Sequence, residues 1–298
     1  MSEICPITVG IPSYRRLDKL PIALEKILNC NPQPDEIIIH VDGNDTATEN
    51  WIQINFPKIK ILKSETLIGP GGGRNKIIRE AKHSIIASFD DDSYPIDSDY
   101  FARLIYLFEK FPEAGVIGAS VFNLTETIDP DTLAAFWAAD FIGCGCAYRK
   151  EVFLKTSGYL SLPLAYGMEE TDLSLRLHAM GWKILSSSWL RVFHDTELKH
   201  QEEPHVTAAS IANQALLAYL RYPVSLWGLG IGQCISRILW LIKHKRYQGI
   251  IEGITGIPSL LWNNKKQRRI VTSRSIFSYL KLRKKKMPVE KKLLNYIP

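Results

Sequence analysis

Ile85-Ile86-Ala87-Ser88-Phe89-Asp90-Asp91-Asp92-Ser93 runs from an apolar segment straight into three consecutive carboxylates. Five apolar or small residues bounded by polar ones read as a short buried strand, Ile85 to Phe89. Four comparable runs surround it in sequence: Ile7 to Ile11, Glu36 to Val41, Ile59 to Leu62 and Gly115 to Ala119. Between them lie helical patterns at Asp18 to Leu28, Gly73 to Lys82 and Asp99 to Phe111. Strand and helix alternating in this way imply an α/β fold, a mostly parallel sheet flanked by helices. Such sheets bind ligands beyond the carboxyl ends of their strands, which makes Asp90, Asp91 and Asp92 candidates for a site.

Three adjacent carboxylates repel one another unless a cation shares them. Side chains alternate along an extended chain, so Asp90 and Asp92 fall to one side, where hard oxygen ligands suit Mg²⁺ or Mn²⁺ and substrate phosphates complete the shell. A solvated acidic turn leading to Pro95 is the plain alternative; the position at a strand's carboxyl end favours the metal. Gly69-Pro70-Gly71-Gly72-Gly73-Arg74-Asn75 enters a helix, allows close backbone approach, and puts a guanidinium near a helix N-terminus that favours anions. It lacks the G-K-[ST] ending of a Walker loop and does not follow the first strand. Tyr166-Gly167-Met168-Glu169-Glu170-Thr171-Asp172 places three acids in one helical turn, more than a helix N-terminus requires, and one of them can act as general base. His194 ends an apolar run; it is either a hydrogen-bonded structural histidine or a neutral imidazole ligand.

Asn123 to Tyr166 is less regular. A helix over Met168 to Met180 ends at Gly181, and Lys183 to Ser187 and Leu190 to His194 read as two short strands. After Pro204 the character changes to long apolar helices: His205 to Arg221, Pro223 to Ile242 and Tyr247 to Leu261. The chain therefore divides into a ligand-binding region, residues 1–204, and a helical basic extension, residues 205–298. Pro223 to Ile242 has the minimum length of a membrane span, but Gln233 and Arg237 interrupt it. A helix lying in a membrane interface and a helix packed on the sheet both satisfy the pattern.

The 298 residues are 46% hydrophobic, enough for a substantial core, which excludes a disordered chain. Five cysteines without C-x-x-C spacing imply buried thiols in a reducing compartment rather than disulfides or zinc. Met1 to Gly10 lacks the pattern of a secretory signal, so a cytoplasmic chain is expected. The net charge of +6 conceals an asymmetry: from Lys243 onward 15 Lys and Arg face only Glu252 and Glu290, leaving the preceding residues at −7. A cluster such as Lys281, Arg283, Lys284, Lys285 and Lys286 attracts polyanions, anionic lipid or nucleic acid.

Taken together, these residues resemble the family 2 glycosyltransferases, inverting nucleotide-sugar enzymes of the GT-A fold with a single Rossmann-like domain, over Ile7 to about Phe193. Ile11-Pro12-Ser13-Tyr14-Arg15 resembles the family's opening strand and loop, and Val41-Asp42-Gly43-Asn44 the second strand end. Gly73-Arg74-Asn75 is similar to the A-R-N segment, with glycine for alanine, and Asp90-Asp91-Asp92 to the D-x-D motif. Glu169-Glu170-Thr171-Asp172-Leu173, with Arg176, Leu177 and Gly181 beyond, is similar to the E-D-x-D-L-x-x-R-L-x-x-x-G segment that supplies the base. Glu170 replaces the usual aspartate, so the base is one of Glu170, Glu169 and Asp172. Gly143 to Arg149 resembles the strand before the acceptor site, with Arg149 structural.

The resemblance implies donor nucleotide contacts from Pro12, Tyr14, Arg15, Asp42, Arg74, Asn75 and Asp91, and metal ligation by Asp90, Asp92 and His194. It implies a nucleoside-diphosphate sugar donor (UDP-, dTDP- or GDP-linked) and a glycan or lipid-linked acceptor in cell-surface polysaccharide or glycolipid assembly. With the basic tail, it implies an enzyme peripheral on the inner face of the plasma membrane, bound to anionic lipid rather than nucleic acid, with a homodimer as a further expected partner. Two rivals are a nucleotidyltransferase, which would want glycines at Pro12 to Arg16, and a non-catalytic scaffold, which has no use for three adjacent aspartates.

Overall fold

The computed structural model describes residues 3–162, 164, 166–197, 202–285 and 287–289. Of the segments read above, Met1 and Ser2, Lys286 and residues 290–298, including Glu290, lie outside them. The strands are β1 (Ile4–Ser13), β2 (Gln33–Val41), β3 (Lys60–Lys63), β4 (Ile85–Phe89), β5 (Ser93–Pro95), β6 (Ala114–Asn123), β7 (Ala135–Ala138), β8 (Gly145–Arg149), β9 (Lys183–His194) and β10 (Met287–Pro288). The helices are α1 (Leu20–Leu28), α2 (Thr46–Asn55), α3 (Gly69–Glu80), α4 (Tyr100–Lys110), α5 (Lys150–Leu154), α6 (Glu169–Ala179), α7 (Pro204–Arg221), α8 (Trp227–Lys243), α9 (Ile250–Asn264) and α10 (Ser273–Lys284).

One sheet runs in the order β10-β7-β9-β6-β8-β4-β1-β2-β3, with β5 paired to β9. β1, β2, β3 and β4 are parallel neighbours, as are β6 and β9, while β8 enters antiparallel between β4 and β6. The α/β expectation of a largely parallel sheet under helices therefore holds. Alternation along the strands divides the core: Ile7, Val9 and Ile11 pack with Leu24, Ile27, Phe101 and Leu104 of α1 and α4. On the opposite face Ile38 and Ile86 meet Ile77 and Ile78 of α3, Val152 and Phe153 of α5, and Leu173 and Leu177 of α6.

Three sequence readings are corrected. Lys183 to Ser187 and Leu190 to His194 are one strand, β9: its pairing jumps from Ala119↔Ser187 to Ser120↔Arg191, so Ser188, Trp189 and Leu190 form a bulge. The bulge is anchored, because Trp189 is buried, lies under the Arg103 guanidinium and meets the Tyr106 ring edge-on. The glycine-rich run is not a loop before a helix but the first turns of α3, which begins at Gly69 rather than Gly73. The irregular stretch after Asn123 contains β7, β8 and α5. Helices α2 and α10 carried too little apolar periodicity to be seen.

Candidate active site

The parallel strands β1, β2 and β4 end on one edge of the sheet, so Pro12, Ser13 and Tyr14, then Asp42, then Asp90, Asp91 and Asp92 line one cleft of about 480 Å³. Leu67, Gly69 and Pro70 at the start of α3, together with Arg16 and His194, complete it. Asp42 caps α3: its carboxylate accepts the N–H of Gly43 at 3.0 Å, Ile68 at 3.1 Å and Gly69 at 2.9 Å. A carboxylate suits the positive end of a helix, and two orphan N–H groups of α3 are satisfied by it.

The three aspartates meet different partners. Asp90 pairs with the Arg74 guanidinium, which also donates to Ser88 Oγ at 3.0 Å and lies 3.5 Å from Glu169 Oε1. Asp91 accepts the Tyr14 N–H at 3.3 Å. Burial, reinforced by the neighbouring Asp92 and Asp90 charges, pushes the Asp91 carboxyl up to about 7. Asp92 accepts from Arg16 Nη2 at 3.0 Å and lies 3.1 Å from His194 Nε2. Burial alone would raise the Asp92 carboxyl, but His194 and Arg16 outweigh it and hold it below the ordinary range.

His194 reaches this point because β5 pairs with β9, Ser93 opposite His194, and because the Asp195 N–H donates to Asp92 O at 2.8 Å. Asp90, Cys144 and His194 bring one oxygen, one sulfur and one nitrogen within 4.8 Å of one another. Asp92 meets the same imidazole at 3.1 Å, so carboxylate and imidazole donors of the kind that hold a divalent cation border the cleft. Cys144 was not singled out in the sequence, and β8 is the element that brings it here.

Behind Arg74 stands a second acid pair. Glu169 is 6% exposed and its Oε2 has no hydrogen-bond donor among the described residues, while Glu170 is half-buried. Burial and the adjacent Glu170 charge push Glu169 up to about 8, against the pull of Arg74; burial raises Glu170 as well. The glycines of this region make room for the pair. A Cβ on Gly71 would lie 2.4 Å from Glu169 Oε2, and one on Gly143 would lie 2.6 Å from Glu170 Oε1. A Cβ on Gly73 would strike His40 Nδ1 at 2.7 Å. Close approach of α3 to the sheet and to α6 is thus the physical reason for the run.

Other residues singled out in the sequence sit differently. Asp172 is fully buried and its carboxylate is shared by Arg176, at 2.7 Å from Nη2, and by Arg221 of α7, at 3.2 Å from Nη2. Asn75 spends both ends of its amide on the Tyr159 main chain, donating at 2.9 Å and accepting at 2.8 Å. Arg15 has a left-handed backbone, φ 55°, held where its N–H donates to Asp45 Oδ2 at 2.7 Å, and its guanidinium sits 5.0 Å from the Tyr14 ring centroid. The cleft-lining arginine of this loop is the next one, Arg16. Arg149 bridges Phe108 O at 3.1 Å and Ala114 O at 3.4 Å, a structural tie.

Residues 8–130 match the family model for glycosyl transferase family 2. No significant match appears among curated proteins. Among solved structures, GalNAc-T7 with UDP, GalNAc and Mn²⁺ is similar at 13% identity and a TM-score of 0.58, over 73% of this chain. The chain spans only 48% of the length of GalNAc-T7. S. aureus TarS 1-349 in complex with UDP-GlcNAc is similar at 12% identity and a TM-score of 0.54, over 89% of this chain and 93% of that one. The mannosyltransferase PcManGT from Pyrobaculum calidifontis, in complex with GDP-Man and Mn²⁺, is similar at 12% identity and a TM-score of 0.54, over 93% of this chain and 79% of that one. At this identity the likeness is one of fold, GT-A.

Proposed function

Starting from a family 2 glycosyltransferase region at residues 8–130, we propose that the chain transfers a sugar, with inversion, from a nucleoside diphosphate to a hydroxyl acceptor. The observation that carries this reading is the convergence of Asp90, Asp92 and His194 at the carboxyl edge of β4, facing the loop that ends β1. Asp90, Asp92 and His194 would hold Mn²⁺ or Mg²⁺, and the bound ion would offset charge on the departing diphosphate. Pro12, Tyr14, Asp42 and Asp91 form the wall for the nucleoside, and Arg16 offers donors to phosphate. Neighbours crystallised with UDP-GlcNAc and with GDP-Man support a nucleotide-sugar donor.

Glu170 takes the role of general base. Asp172 is closed off by two guanidiniums and Glu169 is buried, whereas Glu170 is partly open. Deprotonated Glu170 accepts the acceptor hydroxyl proton as the oxygen attacks the anomeric carbon from the face opposite the diphosphate. Arg74 stands between Asp90 and the acid pair, spacing the donor end of the site from the acceptor end. The acceptor is a glycan or lipid-linked hydroxyl in cell-surface polymer assembly, met at the cytoplasmic face of the membrane. A donor screen tests the reading: purified chain with Mn²⁺ or Mg²⁺ and UDP-, dTDP- and GDP-sugars releases free nucleoside diphosphate and is thermally stabilised by one nucleotide. If no nucleotide either stabilises the chain or is released, the reading is wrong.

A further inference from the structure

Helix α8 is built inside out. Over Val224–Lys243, the one described helix long and apolar enough to cross a membrane, only 11% of an 18-residue window is buried. Its polar side chains face the protein: Gln233 accepts from Tyr222 Oη at 3.0 Å and from Gln214 Nε2 at 3.3 Å, and Arg237 Nε donates to Ser210 Oγ at 3.2 Å. Its apolar side chains face outward, with Ile231 61% and Leu239 60% exposed, and Ile235 and Ile242 on the same stripe. A helix packed in a water-soluble protein shows the reverse arrangement.

Helix α9 repeats the pattern, exposing Ile251 and Ile254 and leaving Trp262 68% exposed. Both helices rest on α7, and between them runs a groove floored by Ala215, Ala218 and Tyr219 and walled by Ile235, Ile257 and Leu261. Cations bracket this apolar face. Lys243, Lys245 and Arg246 lie near the start of α7, where Arg246 Nη2 donates to Thr207 Oγ1 at 3.0 Å. Lys265, Lys266, Arg268 and Arg269 lie near its end, where the Arg269 N–H donates to Leu220 O at 3.0 Å.

We infer that α8 and α9 form a monotopic surface that lies in the interface of an anionic bilayer, apolar stripes among the acyl chains and both basic ends at the headgroups. Residues 224–285 carry 13 Lys and Arg against one acid, Glu252, so a second copy docking face to face would set like charge against like. The exposed Ile and Leu stripes have no use for a phosphate polymer. An anionic lipid surface satisfies both the apolar stripes and the charge. Arg237, the residue that makes a transmembrane path costly, is held inside by Ser210, which sets α8 flat on the surface rather than through it.

The inference concerns binding alone and stands apart from the donor chemistry. The full chain, mixed with vesicles of 30% phosphatidylglycerol in phosphatidylcholine at low salt, floats with them and its tryptophan emission shifts to the blue. Vesicles of pure phosphatidylcholine bind it about tenfold more weakly or less. The variant Ile231→Glu/Ile235→Glu/Leu239→Glu loses at least about tenfold in partitioning. Lys265→Glu/Lys266→Glu, at two exposed positions, loses about tenfold on anionic vesicles if the first variant proves unstable. Failure of the wild-type chain to float, or equal flotation of both variants, overturns the inference. So does a lipid-free dimer that the apolar-face variant converts to monomer, since a second copy then covers the face. Nucleotide-dependent thermal stabilisation, measured on the same preparations, reports on the cleft and keeps the two readings separable.

Discussion

The Arg221 guanidinium of α7 closes on the Asp172 carboxylate of α6, and both side chains are almost entirely buried. Arg176 holds the same carboxylate from the other side. The acids Glu169 and Glu170 stand on the first turn of that helix, so this ion cluster sets their position relative to the helical platform. Replacing Asp172 with alanine leaves two buried guanidiniums without their carboxylate, a change that costs about 3–5 kcal/mol. Denaturant melts of D172A check the magnitude, and a loss below about 1 kcal/mol contradicts the assignment.

Glu170→Gln keeps shape and removes the proton acceptor. Turnover falls by ~10² to 10⁴ while donor-nucleotide affinity stays within about twofold of wild type. Kinetics at saturating donor, paired with a nucleotide thermal shift, separate loss of base from loss of binding.

Asp92→Ala removes the partner of both Arg16 and His194. Transfer falls by at least about 10²-fold, with the thermal melt near wild type and with loss of the Mn²⁺- or Mg²⁺-dependent stabilisation. Substantial turnover in D92A rules out the metal role given to this residue.

The acid pair sets a pH dependence. Arg74, Asp90 and Glu170 surround Glu169, and burial with the Glu170 charge raises its carboxyl to about 8. Glu170, the base, must be ionised to work, and burial raises its carboxyl, so activity climbs with pH above the ordinary glutamate range. Stability moves the other way, because the native state keeps protons that the unfolded chain has released above its ordinary glutamate range. The stabilising contribution is complete below that range and is lost as pH rises through about 8. Glu169→Gln removes the mutual repulsion, so the acid limb of the rate profile shifts to lower pH. An unchanged limb argues against coupling of the two acids.

Gly71→Ala places a methyl group 2.4 Å from Glu169 Oε2 and 2.9 Å from Tyr159 Cβ. One of α3 and α6 must give way, at about 1–3 kcal/mol, with activity falling more than the melt alone accounts for. Gly228→Ala, in open space on α8, is the matched control and leaves the cleft untouched.

Much of the sheet was readable because β1, β2 and β4 each carry an apolar run ended by turn-forming residues, and because parallel strands must finish on one edge. The aspartates at that edge followed from strand position alone. β7 escaped notice because Ala135-Phe136-Trp137-Ala138 is too short to show alternation, and β8 was visible only through the family resemblance of Gly143 to Arg149, which gave Cys144 no role. Arg15 was taken for Arg16 because no periodicity marks which residue of a loop turns into a cleft; a backbone in the left-handed region decides that. Asp172 and Asn75 carry the right residue types in the right motif, yet their partners, Arg221 and Tyr159, are 49 and 84 residues away and can be identified only in three dimensions.

The bulge of Ser188, Trp189 and Leu190 acts as a spacer. Those three residues take up chain length that would otherwise slide the end of β9 along β6, and they set which side chain arrives opposite Ser93. Drawn into regular pairing instead, they would put Arg191 rather than His194 opposite Asn123, and the imidazole would miss the aspartates. Three residues kept out of the ladder thereby choose the chemistry that the cleft can hold.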